Sequence, residues 1–200
     1  MAVGINQAGA FLKTSKIAPT PDIQFHFAAL SSDIPGSSLH DFSGFTSSVC
    51  QLRPASRGQV TIRSSDPSNS PAIHPNYLMA DLDQRTVIGG LKVARQIAAQ
   101  PALTRHIINE YLPGEGVQSD DDLLDFARQT GVTIFHPVGT CKMGNDTASV
   151  VDRYLRVHGV EGLRVVDCSI MPTLVSGNTH AAAVMIAEKG SDMILADAER

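Results

Sequence analysis

Tryptophan is absent from this sequence, aromatic residues make up only 5%, and cysteine occurs just three times. Cys50, Cys141 and Cys168 fall at wide, irregular intervals with no C-x-x-C pair, which excludes a disulfide framework and points to the reduced thiols of a cytosolic-type protein. The histidines and cysteines show none of the usual zinc-ligand spacings, so no metal is expected. No apolar run approaches the roughly 20 residues of a membrane span, and the opening "MAVGINQAGAFLK" lacks the basic start and long apolar stretch of a secretory signal. Basic residues are outnumbered by acidic ones, 16 to 20, and are scattered along the chain; without a basic stripe, nucleic acid is not an expected partner. A complete G-x-G-x-x-G is also missing: "GEGVQS" at 114–119 has the first two glycines, lacks the third, and follows no strand pattern.

What remains is a chain with 42% hydrophobic and 18% charged residues, the balance of a soluble globular protein able to bury a sizeable core. In "DIQFHFAAL", Ile23, Phe25 and Phe27 alternate with Gln24 and His26, the period of a strand with one buried face. Residues 31–45 read as a loop, and "SSVCQL" and "GQVTIRS" as two strands joined in a hairpin around "RPASRG". From Leu82 to Gln100, Val87, Leu91, Ala94 and Ala98 form a helical stripe interrupted by Gly89 and Gly90. Each glycine costs about 1 kcal/mol relative to Ala in a helix, so close packing against another backbone is expected there. A second helix starts at Ser119, with a capping box to Asp122 and Gly131 beyond its end. Leu163–Val166 reads as a strand buried on both faces with Asp167 at its end, and a last helix runs from about Thr179 to Ala196.

Two segments combine unusual backbone chemistry with an imidazole: "HPVGTCKMG" at 136–144 and "SGNTHAAAVMIAEKGSDMI" from Ser176. Pro137 disfavours helix at His136 and presents its ring from an extended segment. Asn178 or Thr179 is the expected N-cap of the last helix, which places His180 in its first turn. A helix start carries partial positive charge and free N–H donors. It disfavours a positive charge on an imidazole placed there, and leaves His180 able to accept a hydrogen bond from an alcohol.

These two segments, with "GLRVVDCSIMPTLVSGNTH" and more loosely "LRPASRGQVTIRSSDPSNSPAIHPNYL", resemble the glucose–methanol–choline (GMC) oxidoreductases, flavoenzymes that oxidise alcohols. The two histidines that align with that family's catalytic pair stand 44 residues apart. The resemblance implies that His136 is the base and His180 its hydrogen-bonding partner, with hydride passing from the substrate carbon to FAD. It also implies that Asp167, Cys168, Asn178, Thr179, His180 and Ala181 approach the flavin. His180 would stand where choline-type members usually carry Asn, and Ala182 where they often carry Pro. The implied fold is α+β. An antiparallel sheet with flanking helices over 1–135 forms part of a substrate domain, and a C-terminal strand and helix over 136–200 return to the FAD-binding α/β domain. With the glycine fingerprint missing, the chain resembles the C-terminal part of such an enzyme, and Met1 would correspond to an internal position. The expected substrate is a small alcohol, with oxygen or a quinone-type compound as the final electron acceptor. The rival expectation is a truncated module that only binds.

Overall fold

Three antiparallel strands, β1 (Asn6–Leu12), β2 (Ile23–Ala28) and β3 (Thr46–Gln51), form a sheet in the order β1-β2-β3. They are seen in a computed structural model that describes residues 4–34 and 36–199. The rest of the described residues supply a two-stranded ribbon, β4 (Gln59–Thr61) with β5 (Ala72–His74), and four α-helices: α1 (Asp81–Ala98), α2 (Pro101–Thr104), α3 (Asp120–Thr130) and α4 (His180–Ala198). The architecture is mixed α and β with small antiparallel sheets, as the α+β reading expected. Two compact units result. The first holds the described residues up to Ser56 with Tyr77–Val132, and the second holds Arg57–Asn76 with the described residues from Thr133 on. The division falls at 132/133, and residues 57–76 fold with the second unit.

In the first unit, β2 is the central strand; Ile23 and Phe25 are buried as the alternation foretells, whereas Phe27 is half-buried and Gln24 and Ala28, on the other face, are buried as well because the strand lies between two others. Burial of each large apolar side chain contributes about 1.5–3 kcal/mol. β1, which carries small residues and no large-apolar alternation, is mostly exposed. Its Gly9 is required by a close approach, because a Cβ there would stand 2.9 Å from the Phe25 carbonyl oxygen. Asp22 closes the β1–β2 connection by accepting from the Thr14 amide at 2.8 Å and the Thr14 hydroxyl at 2.6 Å.

Helix α1 packs on β3 through Gly90 and meets the β1–β2 connection through Gly89. A Cβ at Gly90 would lie 2.7 Å from Val49 Cγ2, and one at Gly89 would lie 2.9 Å from Thr14 Cβ. Its most buried face is Asp83, Thr86 and Gly90, whereas Val87, Leu91, Ala94 and Ala98 are half-buried. The capping box of α3 forms: the Asp122 amide donates to Ser119 Oγ at 3.1 Å and the Ser119 amide donates to the Asp122 carboxylate at 3.2 Å.

The expected hairpin of "SSVCQL" with "GQVTIRS" does not form. β3 pairs with β2, and β4 pairs with β5 in the other unit. The reason is Asp83, only 1% exposed, whose carboxylate takes up the amides that a turn would need. It accepts from the Ala55 amide at 2.8 Å, the Ser56 amide at 2.8 Å and the Gln51 side chain at 2.9 Å. Burial pushes this carboxyl up, but donors from Ser56, Ala55 and Gln51 outweigh burial and hold it below the usual carboxylate range.

The second unit has little regular structure before α4. Its core is Val151, Leu155, Ile170, Met171 and Ile186. Leu163–Val166 is not a strand buried on both faces: Leu163 is half exposed, and only Arg164 forms a bridge, to Arg156. Left-handed φ values at Leu155, Gly159 and Gly162 turn the chain on either side of that bridge, so no extended run can develop.

Candidate functional site

The segment 136–144 is set by backbone geometry before any side chain acts. Phe135 has φ 61°, a conformation that a bulky residue rarely adopts; it turns the chain immediately before His136 and Pro137. Gly139 has φ 89°, and a Cβ there would stand 3.3 Å from the Met171 carbonyl oxygen. Two main-chain bonds then fasten the segment to a single 3-10 turn at Cys168–Ile170: the Cys141 amide donates to the Ser169 carbonyl at 3.0 Å and the Met143 amide to the Ile170 carbonyl at 2.8 Å. Asp167 caps this turn by accepting from the Ser169 amide at 2.7 Å. Cys168 is half-buried against the core.

Helix α4 supplies the other half of the site. Ile186 anchors it in the core, and Gly190 lets it lie directly against Val166 and Leu155, where a Cβ would collide. At its far end, Arg156 and Arg164 both donate to Asp197 and hold that carboxyl below the usual range. Its N-cap is Thr179, which is 7% exposed, and His180 is the first helical residue.

The His136 ring is held at both nitrogens. Asn178 Nδ2 lies 2.8 Å from Nε2, and Thr179 Oγ1 lies 2.8 Å from Nδ1. The ring's hydrogen bonds therefore go to Asn178 and Thr179, not to His180, which is exposed at the helix start together with Ala181. Asn178 and Thr179 precede the helix, and both of their side chains reach the 136 segment. The group against the histidine is thus an asparagine, two positions before the histidine to which the sequence assigned that role. Asn178 and Thr179, expected as helix-entry residues and flavin contacts, are the residues that hold His136. The sequence marked them as helix-entry residues, and nothing local tied their side chains to His136.

A buried hydroxyl, an amide and an imidazole in one cluster, beside a helix start that no side chain caps, can bind a hydroxyl compound, accept its proton and stabilise negative charge. Among the described residues no group of His, Cys, Asp or Glu is arranged to hold a metal ion, and no helix is long and apolar enough to cross a membrane.

A family model described as GMC oxidoreductase matches residues 54–187, which include both His136 and His180. The chain belongs to the GMC oxidoreductase family. Among GMC-type relatives, it is 42% identical over 191 residues to an alcohol dehydrogenase [acceptor] of Pseudomonas putida, covering 96% of this chain and 35% of that protein. It is 43% identical over 188 residues to an oxygen-dependent choline dehydrogenase of Proteus mirabilis, covering 94% of this chain and 34% of the relative. Of solved structures, pyridoxine 4-oxidase from Mesorbium loti superposes with a TM-score of 0.83 at 30% identity, covering 94% of this chain and 37% of the other. The chain thus spans about a third of the length of the relatives it matches.

Proposed function

We propose that this chain carries the proton-accepting end of an alcohol-oxidising site in a GMC oxidoreductase, with His136 as the base. The observation that carries this reading is the doubly held imidazole of His136, with Asn178 and Thr179 each at 2.8 Å. A substrate hydroxyl that displaces Asn178 from the ring donates its hydrogen to Nε2, while the Asn178 amide donates to the hydroxyl oxygen. Transfer of the proton to Nε2 leaves negative charge on that oxygen, next to the Asn178 amide and the imidazolium it has just formed. This charge makes the carbinol carbon a better hydride donor. His180 is exposed at the first position of α4, while the ring of His136 is bonded to Asn178 and Thr179.

FAD, when bound, supplies the acceptor for that hydride. The residues that would hold it are those at the start of α4, Asn178, Thr179, His180 and Ala181, with Asp167 and Cys168 at the 3-10 turn. They fit in one respect that bears on the chemistry: α4 has no capping side chain, so its first amides are open to a ring oxygen that gains negative charge. A small primary alcohol or related CH–OH compound suits this arrangement, and the names of the relatives, alcohol and choline dehydrogenases, support the class. Oxygen or a quinone-type compound would then remove the electrons.

The test is anaerobic stopped-flow reduction in the flavin-loaded enzyme that carries this chain. His136→Ala is expected to slow reduction by alcohol by about 10²–10⁴-fold, and an unchanged rate removes His136 from the reaction. Asn178→Ala is expected to slow it more than His180→Ala; the opposite order would return the partner role to His180.

A further inference from the structure

We infer that Thr179 is a positioning residue that fixes the tautomer of His136, keeping the ring proton on Nδ1 and the lone pair on Nε2. The consequence for catalysis rests on His136 being the base proposed above, while the tautomer itself does not.

Threonine at an N-cap ordinarily accepts from an amide of the first turn, with its backbone in the extended region. Thr179 does neither. Its φ and ψ are −84° and −5°, in the helical region, and its side chain makes no capping bond. The hydroxyl is buried with its residue, which is 7% exposed, and lies 2.8 Å from His136 Nδ1. The helix forgoes its cap, and the hydroxyl serves the imidazole instead.

The other nitrogen decides the direction of that bond. The Nδ2 group of Asn178, 2.8 Å from Nε2, can only donate, so Nε2 must present its lone pair. A neutral ring has one proton, which is then on Nδ1 and is donated to Thr179 Oγ1. A free histidine side chain favours the opposite tautomer, with the proton on Nε2. An acceptor at Nδ1 is therefore needed to reverse the preference, and Thr179 Oγ1 is the atom in place. The same oxygen keeps accepting from Nδ1 after Nε2 takes up a proton, so the ring does not turn during transfer. Of the two ring nitrogens, only the one beside Asn178 is then left to act as base.

The experiment uses the flavin-loaded enzyme carrying this chain, with ¹⁵N-labelled histidine, and reads the two ring nitrogens of His136 from long-range ¹H–¹⁵N correlations, assigned by their loss in His136→Ala. The wild type is expected to show Nδ1 protonated and Nε2 as the pyridine-type nitrogen. Thr179→Val keeps the shape and removes the acceptor, so it should convert His136 to the Nε2–H form and slow anaerobic flavin reduction roughly tenfold or more, as loss of a buried partner does. Thr179→Ser restores the acceptor and should recover both the tautomer and the rate to within about threefold. A wild-type ring protonated on Nε2, or a Thr179→Val ring that keeps the wild-type tautomer, overturns the inference, as does failure of Thr179→Ser to rescue. Failure of the oxidation reading looks different: the tautomer still changes in Thr179→Val, while His136→Ala reduces flavin as fast as the wild type.

Discussion

The two units of this chain solve the same problem by different means. In the first, a three-stranded ladder and the helices α1, α2 and α3 satisfy the backbone by repetition, and one buried carboxylate, Asp83, ties down the stretch where the repetition stops. In the second, most of the chain before α4 is irregular, and single bridges, left-handed residues and isolated main-chain bonds place each segment one by one. The lesson lies in where the chemistry sits. A ladder fixes neighbours at uniform spacing, whereas bringing three side chains from positions 136, 178 and 179 within 2.8 Å calls for a fold whose turns are individually specified. Left-handed Phe135, directly before His136, belongs to this second kind of construction.

Three changes would break or sharpen that contrast. The largest is expected from Asp83→Ala, which leaves the amides of Ala55 and Ser56 and the Gln51 side chain without their acceptor. Its cost is about 3 kcal/mol, seen as faster hydrogen exchange throughout the first unit with the second unit's amides unchanged. Uniform loss of protection in both units would show that the units do not open separately. The same carboxyl gives the first unit an acid dependence. Its value is depressed in the folded state, so its contribution is complete above the unfolded carboxylate value of about 3.9 and is lost as pH falls through the lower folded value. Urea titrations repeated at decreasing pH should show this loss in the wild type and not in Asp83→Asn.

Next comes Gly90→Ala. The new methyl would meet Val49 Cγ2 at 2.7 Å, and overpacking of this kind costs about 1–3 kcal/mol, set against roughly 1 kcal/mol gained in helix propensity. A lower Tm for the transition that reports on the first unit is expected, and Val49→Ala in the same chain should recover part of it. A higher Tm for Gly90→Ala alone would mean that the helix yields at this contact. Smallest is Asp197→Asn in the second unit. Arg156 and Arg164 lose a shared charged acceptor at a solvent-accessible position, so faster exchange confined to the last turn of α4 is expected, with the His136 cluster unaffected.

Legibility in the sequence follows the same division. α3 announces itself through Ser119, Asp122 and Gly131, since a capping box is a local bargain between neighbours. The glycine pair of α1 likewise pointed to close packing, and Val49 and Thr14 are what it packs against. The partner of β3 was not legible, because the turn-like "RPASRG" is captured by Asp83, some thirty residues away, and nothing local encodes that capture. β1 escaped notice because its small, exposed residues carry no alternation. In the second unit, Leu163–Val166 has the composition of a strand without a strand's neighbours. At the site, both segments were legible as motifs, whereas the identity of the group on the imidazole was not. That choice depends on how the chain enters α4, with Thr179 in the helical region rather than the extended one, and composition is silent on a single pair of dihedral angles.

The loop that bears His136 hangs on the amides of Cys141 and Met143. Because both anchors are peptide groups, drift in the side chains at those two positions leaves the suspension intact. Proline alone, having no amide hydrogen, would cut a strut at either place.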